Sequence, residues 1–244
     1  MRSESLKQLW MLAFGDSEEL VENFFRTAYT PQQCRCLHSG GMVTAALYWL
    51  DADFSGRKYA YIYGVATHPE HRGQGLCRKL MLQTHEDLKA QGYAGALLMP
   101  ADSGLRRMYA GMGYREGTRL TEFSCKAGNV AADVHAISPA EYEALRRQYL
   151  PEGGVLQERE NIAYLATYAV FYAGSDFLMA AIHEKERLFA AELLGNREMA
   201  PGILKAMGYP EGTFRVPGDK QPFAMFLPLQ EDAPVPCYLG LAFD

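Results

Sequence analysis

A chain of 244 residues that is 48% hydrophobic and 22% charged follows ordinary globular usage, which excludes extended disorder and fibrous repeats. A net charge of −5 supplies no clustered basic excess to neutralise phosphates, so nucleic acid is excluded as a partner. The five cysteines, Cys34, Cys36, Cys77, Cys125 and Cys237, contain no C-x-x-C pair and read as reduced thiols, with neither a disulfide framework nor a metal site. The opening residues lack the apolar core of a signal peptide, and no apolar run reaches the roughly 18 residues of a membrane span. The expectation is a cytoplasmic protein with no membrane partner.

Leu6, Leu9, Trp10 and Ala13 fall at helical spacing, and Asp16 followed by Glu19 resembles a capping box that opens a second helix, with Leu20, Val21, Phe24, Phe25 and Ala28 inward. Strands are predicted over 34–38 and 42–50 around Ser39-Gly40-Gly41, a hairpin signal. Residues 58–67 are rich in Tyr, Ile and Val and predict a third strand, in which Gly64 marks a bulge or a close backbone approach. Leu76, Leu80, Met81, Thr84 and Leu88 then predict a helix over 76–90 that Gly92 closes. A strand over 94–99 follows, then a short helix capped by Asp102 or Ser103, and a last strand that runs to about Cys125. The order α-α-β-β-β-α-β-α-β argues an α/β or α+β sheet.

One repeat bears on domain organisation. Met112-Gly113-Tyr114-Arg115-Glu116-Gly117-Thr118 recurs 95 residues later as Met207-Gly208-Tyr209-Pro210-Glu211-Gly212-Thr213. Each copy follows a short predicted helix and precedes a strand, so two units are expected, 1–126 and 127–244. A reused helix-to-strand turn is the alternative. The second half predicts helices over 139–149 and 159–170, strands over 176–183 and 187–194, and a helix ending at Met207. Its Pro-rich tail suits edge strands.

The turn Arg72-Gly73-Gln74-Gly75-Leu76-Cys77 sits where a strand gives way to a helix. A helix N-terminus has unpaired N–H groups and partial positive charge, and Gly73 and Gly75 let the backbone come close to a pyrophosphate. Arg72 suits phosphate oxygens, or equally an ion pair with Glu70. The third glycine of a dinucleotide-binding turn is replaced by Arg78, and no G-x-x-x-x-G-K-[ST] occurs, which argues against dehydrogenases and P-loop NTPases.

The segment YIYGVATHPEHRGQGLCRKLM resembles the acetyl-CoA signature R-x-x-G-x-G/A of the GCN5-related N-acetyltransferases (GNATs), with Cys77 at the last position. Asp102 to Tyr114 resembles the same family's N-x-x-A-x-x-x-Y-x-x-x-G-F/Y helix through Tyr109, Gly113 and Tyr114, while Asp102 and Leu105 replace its Asn and Ala. The resemblance covers residues 5–125. It implies a mixed central sheet flanked by helices in a catalytic first unit, followed by a degenerate second unit of the same fold.

It also implies acetyl-CoA as acyl donor. The pantetheine arm would pair with the backbone of Val65, Ala66 and Thr67, and the pyrophosphate would lie on Arg72, Gly73, Gln74, Gly75, Leu76 and Cys77. N–H groups near Gly64 would face the thioester carbonyl, and a primary amine, expected on a small molecule, would attack directly. Tyr109 becomes the proton donor to the leaving thiolate; by periodicity alone it is a core residue beside Leu105 and Met112. A protein or peptide acceptor, or a non-catalytic CoA-binding module, is the alternative function.

No general base is assigned. Tyr61, Tyr63 and His68 lie near the site in sequence but read equally as strand packing and a solvated loop. The tandem architecture is similar to that of enhanced-intracellular-survival-type acetyltransferases without their sterol-carrier-like domain, and that resemblance draws attention to a terminal carboxylate at Asp244. Displaced by 95 residues, Arg72–Cys77 becomes 167–172, without a glycine turn, and Tyr109 becomes Leu204. One coenzyme site is therefore expected. The second unit would cover the sheet, wall the acceptor pocket or mediate homo-oligomer contacts.

Overall fold

The computed structural model describes residues 2–243. It opens with α1 (Arg2–Phe14) and α2 (Glu18–Thr27). Ser17, one residue beyond the expected cap, accepts the Leu20 N–H at the start of α2, because the Asp16 carboxylate instead takes the indole N–H of buried Trp10 at 2.8 Å. The strands β1 (Cys34–Ser39), β2 (Met42–Phe54) and β3 (Arg57–Thr67) form an antiparallel meander. A crossover through α3 (Leu76–Ala90) returns the chain to β4 (Gly95–Leu98), parallel to β3. Then α4 (Ser103–Ala110) leads into β5 (Arg115–Glu116).

The chain continues through β6 (Arg119–Lys126), β7 (His135–Ile137), α5 (Pro139–Tyr149), β8 (Leu156–Gln157), α6 (Glu160–Leu165), β9 (Val170–Ala173), β10 (Phe177–His183), β11 (Arg187–Gly195), α7 (Ala200–Met207), β12 (Glu211–Pro217) and β13 (Gln221–Pro222). A last strand, β14 (Met225–Pro228), pairs antiparallel with β4. Two compact units result. The first runs through Arg115 and takes back Met225–Pro234; the second comprises Glu116–Ala224 and the chain from Val235 onward.

In the first unit the strand order is β1-β2-β3-β4-β14, with β5 outermost where the chain leaves the unit. Leu47, Trp49, Ala60, Ile62, Leu80, Met81 and Leu88 pack between the sheet and α3. The strand expected to close this unit, β6, lies in the other sheet, whose order is β13-β6-β12-β11-β10-β9-β7. Long-range pairing decides this. β6 ladders with β12 from Leu120 to Lys126, where Phe123 stacks on Phe214, Glu122 meets Arg215 and Ser124 meets Thr213. The tail is also not wholly at an edge, since β14 lies between β4 and β5.

The helix expected over 159–170 is confined to α6; residues 166–168 form a turn, and Val170 is already taken into β9 against β10. The second unit has its own core of Phe177, Met179, Leu188, Ile203, Leu204 and Phe214. It also seals an ion pair: Arg146 donates twice to the Glu192 carboxylate, which accepts from the Tyr142 and Tyr238 hydroxyls as well. In the sequence repeat, β11 and α7 follow β4 and α4 at the same 95-residue displacement, but the segment displaced from α3 forms β9 and β10. By topology, however, α7 takes the place of α3, since it joins the antiparallel run β9-β10-β11 to β12, parallel to β11, as α3 joins β1-β2-β3 to β4.

Candidate active site

Tyr59, Ala60 and Tyr61 pair with Gly95, Ala96 and Leu97, and there the β3–β4 ladder ends. Beyond Tyr61, β3 continues to Thr67, held on its other side by β2. Val65, Ala66 and Thr67 therefore lie on a stretch of β3 that β4 does not cover, so an extended ligand can add to this edge by main-chain hydrogen bonds. The β2–β3 register shifts between Ala46 and Tyr48, opposite Gly64, whose φ of +58° fits the bulge read from the sequence. A Cβ on Gly64 would stand 3.0 Å from the Tyr48 ring and 3.1 Å from Trp10, so both backbone conformation and packing demand glycine here.

After Thr67 the chain makes a short 3-10 turn, Pro69–His71, and enters the glycine turn. Gly73 and Gly75 adopt φ of +76° and +74°, and nothing stands within 4 Å of the Cβ that either would carry. Packing therefore does not require these glycines; the left-handed backbone does. Gly75 caps α3 without any side-chain acceptor, leaving the first N–H groups of the helix to a ligand. The Arg72 guanidinium donates to the Thr67 and Ala13 carbonyls at 3.3 and 3.4 Å, which braces the turn against the end of β3.

A cleft of about 330 Å³ opens here, lined by Thr67, by His71, Arg72, Gly73 and Gly75 of the turn, by Leu76, Cys77 and Arg78 of α3, and by Met108 and Met112. Gln74 is exposed beside it. Leu76 and Cys77 are half-buried against the core, and burial pushes the Cys77 thiol up from its ordinary value.

The expected α4 is present, and Asp102 caps it by accepting the Leu105 N–H at 2.8 Å. That carboxylate serves the helix cap where the family pattern has Asn. Tyr109 is buried in the core, as its periodicity predicts. Its hydroxyl takes no hydrogen-bond partner among the described residues, yet unlike the sealed Tyr48 hydroxyl it is not closed off. Burial, reinforced by the Cys77 thiol, raises the Tyr109 phenol well above its ordinary value, so it keeps its proton throughout the neutral range. Tyr109 does not itself line the cleft, but Met108 and Met112 beside it do.

The candidates for a base divide. Tyr61 is buried and stacks with half-buried Tyr63, while His68 Nδ1 accepts the Glu70 N–H. The carboxylate of Asp244 lies outside the described residues. Among those residues no group of three or more His, Cys, Asp or Glu could hold a metal ion, and no helix is long and apolar enough to cross a membrane.

Sequence reasoning missed three features: Met108 and Met112 in the cleft wall, the Arg78 bond to the Gly111 carbonyl at 2.9 Å, and buried His85. The signal for His85 was present, since it lies in the apolar stripe of α3 beside Thr84 and Leu88.

The family model of the GNAT acetyltransferase domain matches residues 2–117. Those residues, just under half of the chain, are similar to a GNAT domain. The GNAT fold also extends over most of the chain in solved structures. A GCN5-related N-acetyltransferase from Kribbella flavida superposes with a TM-score of 0.69 at 19% identity, over 94% of this chain and 70% of that one. Eis1 from Mycobacterium abscessus gives 0.70 at 11%, over 95% and 72%. A tandem GNAT protein from the clavulanic acid biosynthesis pathway gives 0.56 at 13%, over 94% and 95%. At such identities the likeness establishes fold alone. Among curated proteins no relative is found.

Proposed function

We propose that this GNAT acyltransferase moves an acetyl group from acetyl-CoA to the primary amine of a small molecule, using the first unit as its catalytic domain. The observation that carries this reading is the continuity of the uncovered edge of β3 with the open N-terminus of α3. One feature accepts an extended amide-bearing arm and the other an anion, in the order in which coenzyme A presents them. The backbone of Val65, Ala66 and Thr67 would hold the arm. Arg72 and the N–H groups of Gly73, Gln74, Gly75, Leu76 and Cys77 would hold the pyrophosphate. Acetyl-CoA held there would supply an activated acyl carbon open to direct attack, with no enzyme nucleophile.

Tyr109 holds a proton at its hydroxyl and delivers it to the departing sulfur. Its place in the family-like helix supports that role; burial raises the phenol, which keeps the proton in place at neutral pH but makes it a weaker acid toward the sulfur. A net charge of −5 favours a cationic amine over an anionic acceptor. The small-molecule assignment draws on the tandem GNAT protein of similar length from the clavulanic acid pathway.

The second unit, 127–244 as read from the sequence, is a degenerate GNAT-like domain with no coenzyme site. Support comes from α7, the crossover helix between the parallel strands β11 and β12, which starts at Ala200-Pro201 with no glycine turn before it. Calorimetry with acetyl-CoA, paired with a thiol-release assay across a library of amines, tests the function. Binding with release from small amines is the expected result. Binding with no release from any amine would favour a non-catalytic module, and release from peptides alone would move the acceptor class.

A further inference from the structure

α4 has only eight residues and carries Tyr109, so something must hold it against the helix that forms the coenzyme cradle. Two side chains of α3 do so. Arg78, in its first turn, donates to the carbonyl of Gly111, the C-cap of α4. His85, two turns along the same face, joins its Nε2 to the Tyr114 hydroxyl at 3.0 Å. Tyr114 is in turn tied to Tyr109, because its N–H donates to the Tyr109 carbonyl at 3.2 Å and the two rings meet edge to face at 5.8 Å.

His85 is an expensive choice for this position. It is 6% exposed, among Leu80, Met81 and Leu88, where an aliphatic side chain would pack without desolvating an imidazole. The gain is a directional bond that fixes where Tyr114, and with it Tyr109, stands relative to α3.

We infer that His85 is a positioning residue for acyl transfer, acting through Tyr114 to hold the Tyr109 hydroxyl at the coenzyme cradle. This rests on the proton-donor reading of Tyr109. A displacement of about 1 Å at such a group costs up to ~10²-fold in rate while leaving binding of the distant pyrophosphate intact.

The test uses the full chain with His85→Leu, Tyr114→Phe and Tyr109→Phe, each alone, and the first two each combined with Tyr109→Phe. Turnover is read by thiol release and acetyl-CoA affinity by calorimetry. His85→Leu and Tyr114→Phe should each lower kcat at least about tenfold with Kd changed less than about twofold, and neither should lower kcat further in the Tyr109→Phe background. His85→Gln, which keeps a hydrogen-bonding group, should recover part of the loss. Equal losses in both backgrounds, or wild-type kcat in both single variants, would overturn the positioning role alone. Wild-type turnover in Tyr109→Phe would remove the proton-donor reading and the positioning role with it. Tyr114→Phe loses one hydroxyl from the same bond, so it carries the readout should His85→Leu fail to fold.

Discussion

Tyr61 and Leu97 are the last residues at which β3 and β4 pair, and everything proposed for the site follows from their parting. Past that point β3 keeps a free edge as far as Thr67, where the glycine turn and the start of α3 take over. A strand-like arm and an anion site are thereby placed in sequence along one path.

Replacing Tyr109 with Phe removes the proton and almost none of the packing, since the ring lies among Met112, Tyr114 and Leu98 in the core. We expect kcat to fall by about 10²-fold or more with acetyl-CoA affinity nearly unchanged, measured by thiol release and calorimetry. A rise in KM with kcat intact would instead mark Tyr109 as part of the binding surface.

Gly75→Ala places a side chain at φ +74°, where open space removes any clash but the left-handed backbone costs about 1–2 kcal/mol. The turn should relax and misalign its N–H groups. Acetyl-CoA affinity is expected to drop by about tenfold, read by calorimetry, with a thermal midpoint lowered by a few degrees.

These local features were legible because their signals are local. The apolar stripe of α3, the left-handed glycines and the capping carboxylate of Asp102 each depend on neighbours within a turn or two. The membership of β6 and β14 was not legible, since nothing within 119–126 says that it ladders with 211–217, and Met225 finds Leu98 only through the folded chain. Tertiary pairing also took Val170 out of the expected helix, since in β9 it pairs with Ala181 of β10. At the site, the free edge of β3 could not be read from sequence because it depends on where β4 stops. The position of His85 in the apolar stripe of α3 was legible, but its role was not, because that depends on its partner, Tyr114.

Burial lowers the His85 imidazole from its ordinary 6.5 to about 4. Tyr114 accepts or donates at its Nε2, so no carboxylate favours the charged form there. Between about pH 4 and 6.5 the unfolded chain binds the proton that the folded chain refuses. Stability from this group is therefore complete above about pH 6.5 and is lost as pH falls through about 4, by up to about 3 kcal/mol. Urea titrations across this range should show the decline in the wild type and a flatter profile in His85→Gln.

Arg146 and Glu192 are fully buried together in the second unit. Glu192→Ala would strand a guanidinium beside two phenols, at a cost of about 3–5 kcal/mol, whereas removing both charges through Arg146→Met and Glu192→Leu should cost much less. Denaturant unfolding of the three variants measures the difference. A double variant as unstable as Glu192→Ala would show that the hydroxyls of Tyr142 and Tyr238, left without their acceptor, dominate the loss.

Calorimetric titration of acetyl-CoA into the full chain, beside a Gly73→Val, Gly75→Val double variant, tests the central claim most directly. The account predicts one site per chain in the wild type and its loss in the variant, whose valines must adopt a backbone conformation closed to β-branched residues. Two sites per chain, or undiminished binding in the variant, would contradict a single acyl-CoA site at Arg72–Cys77.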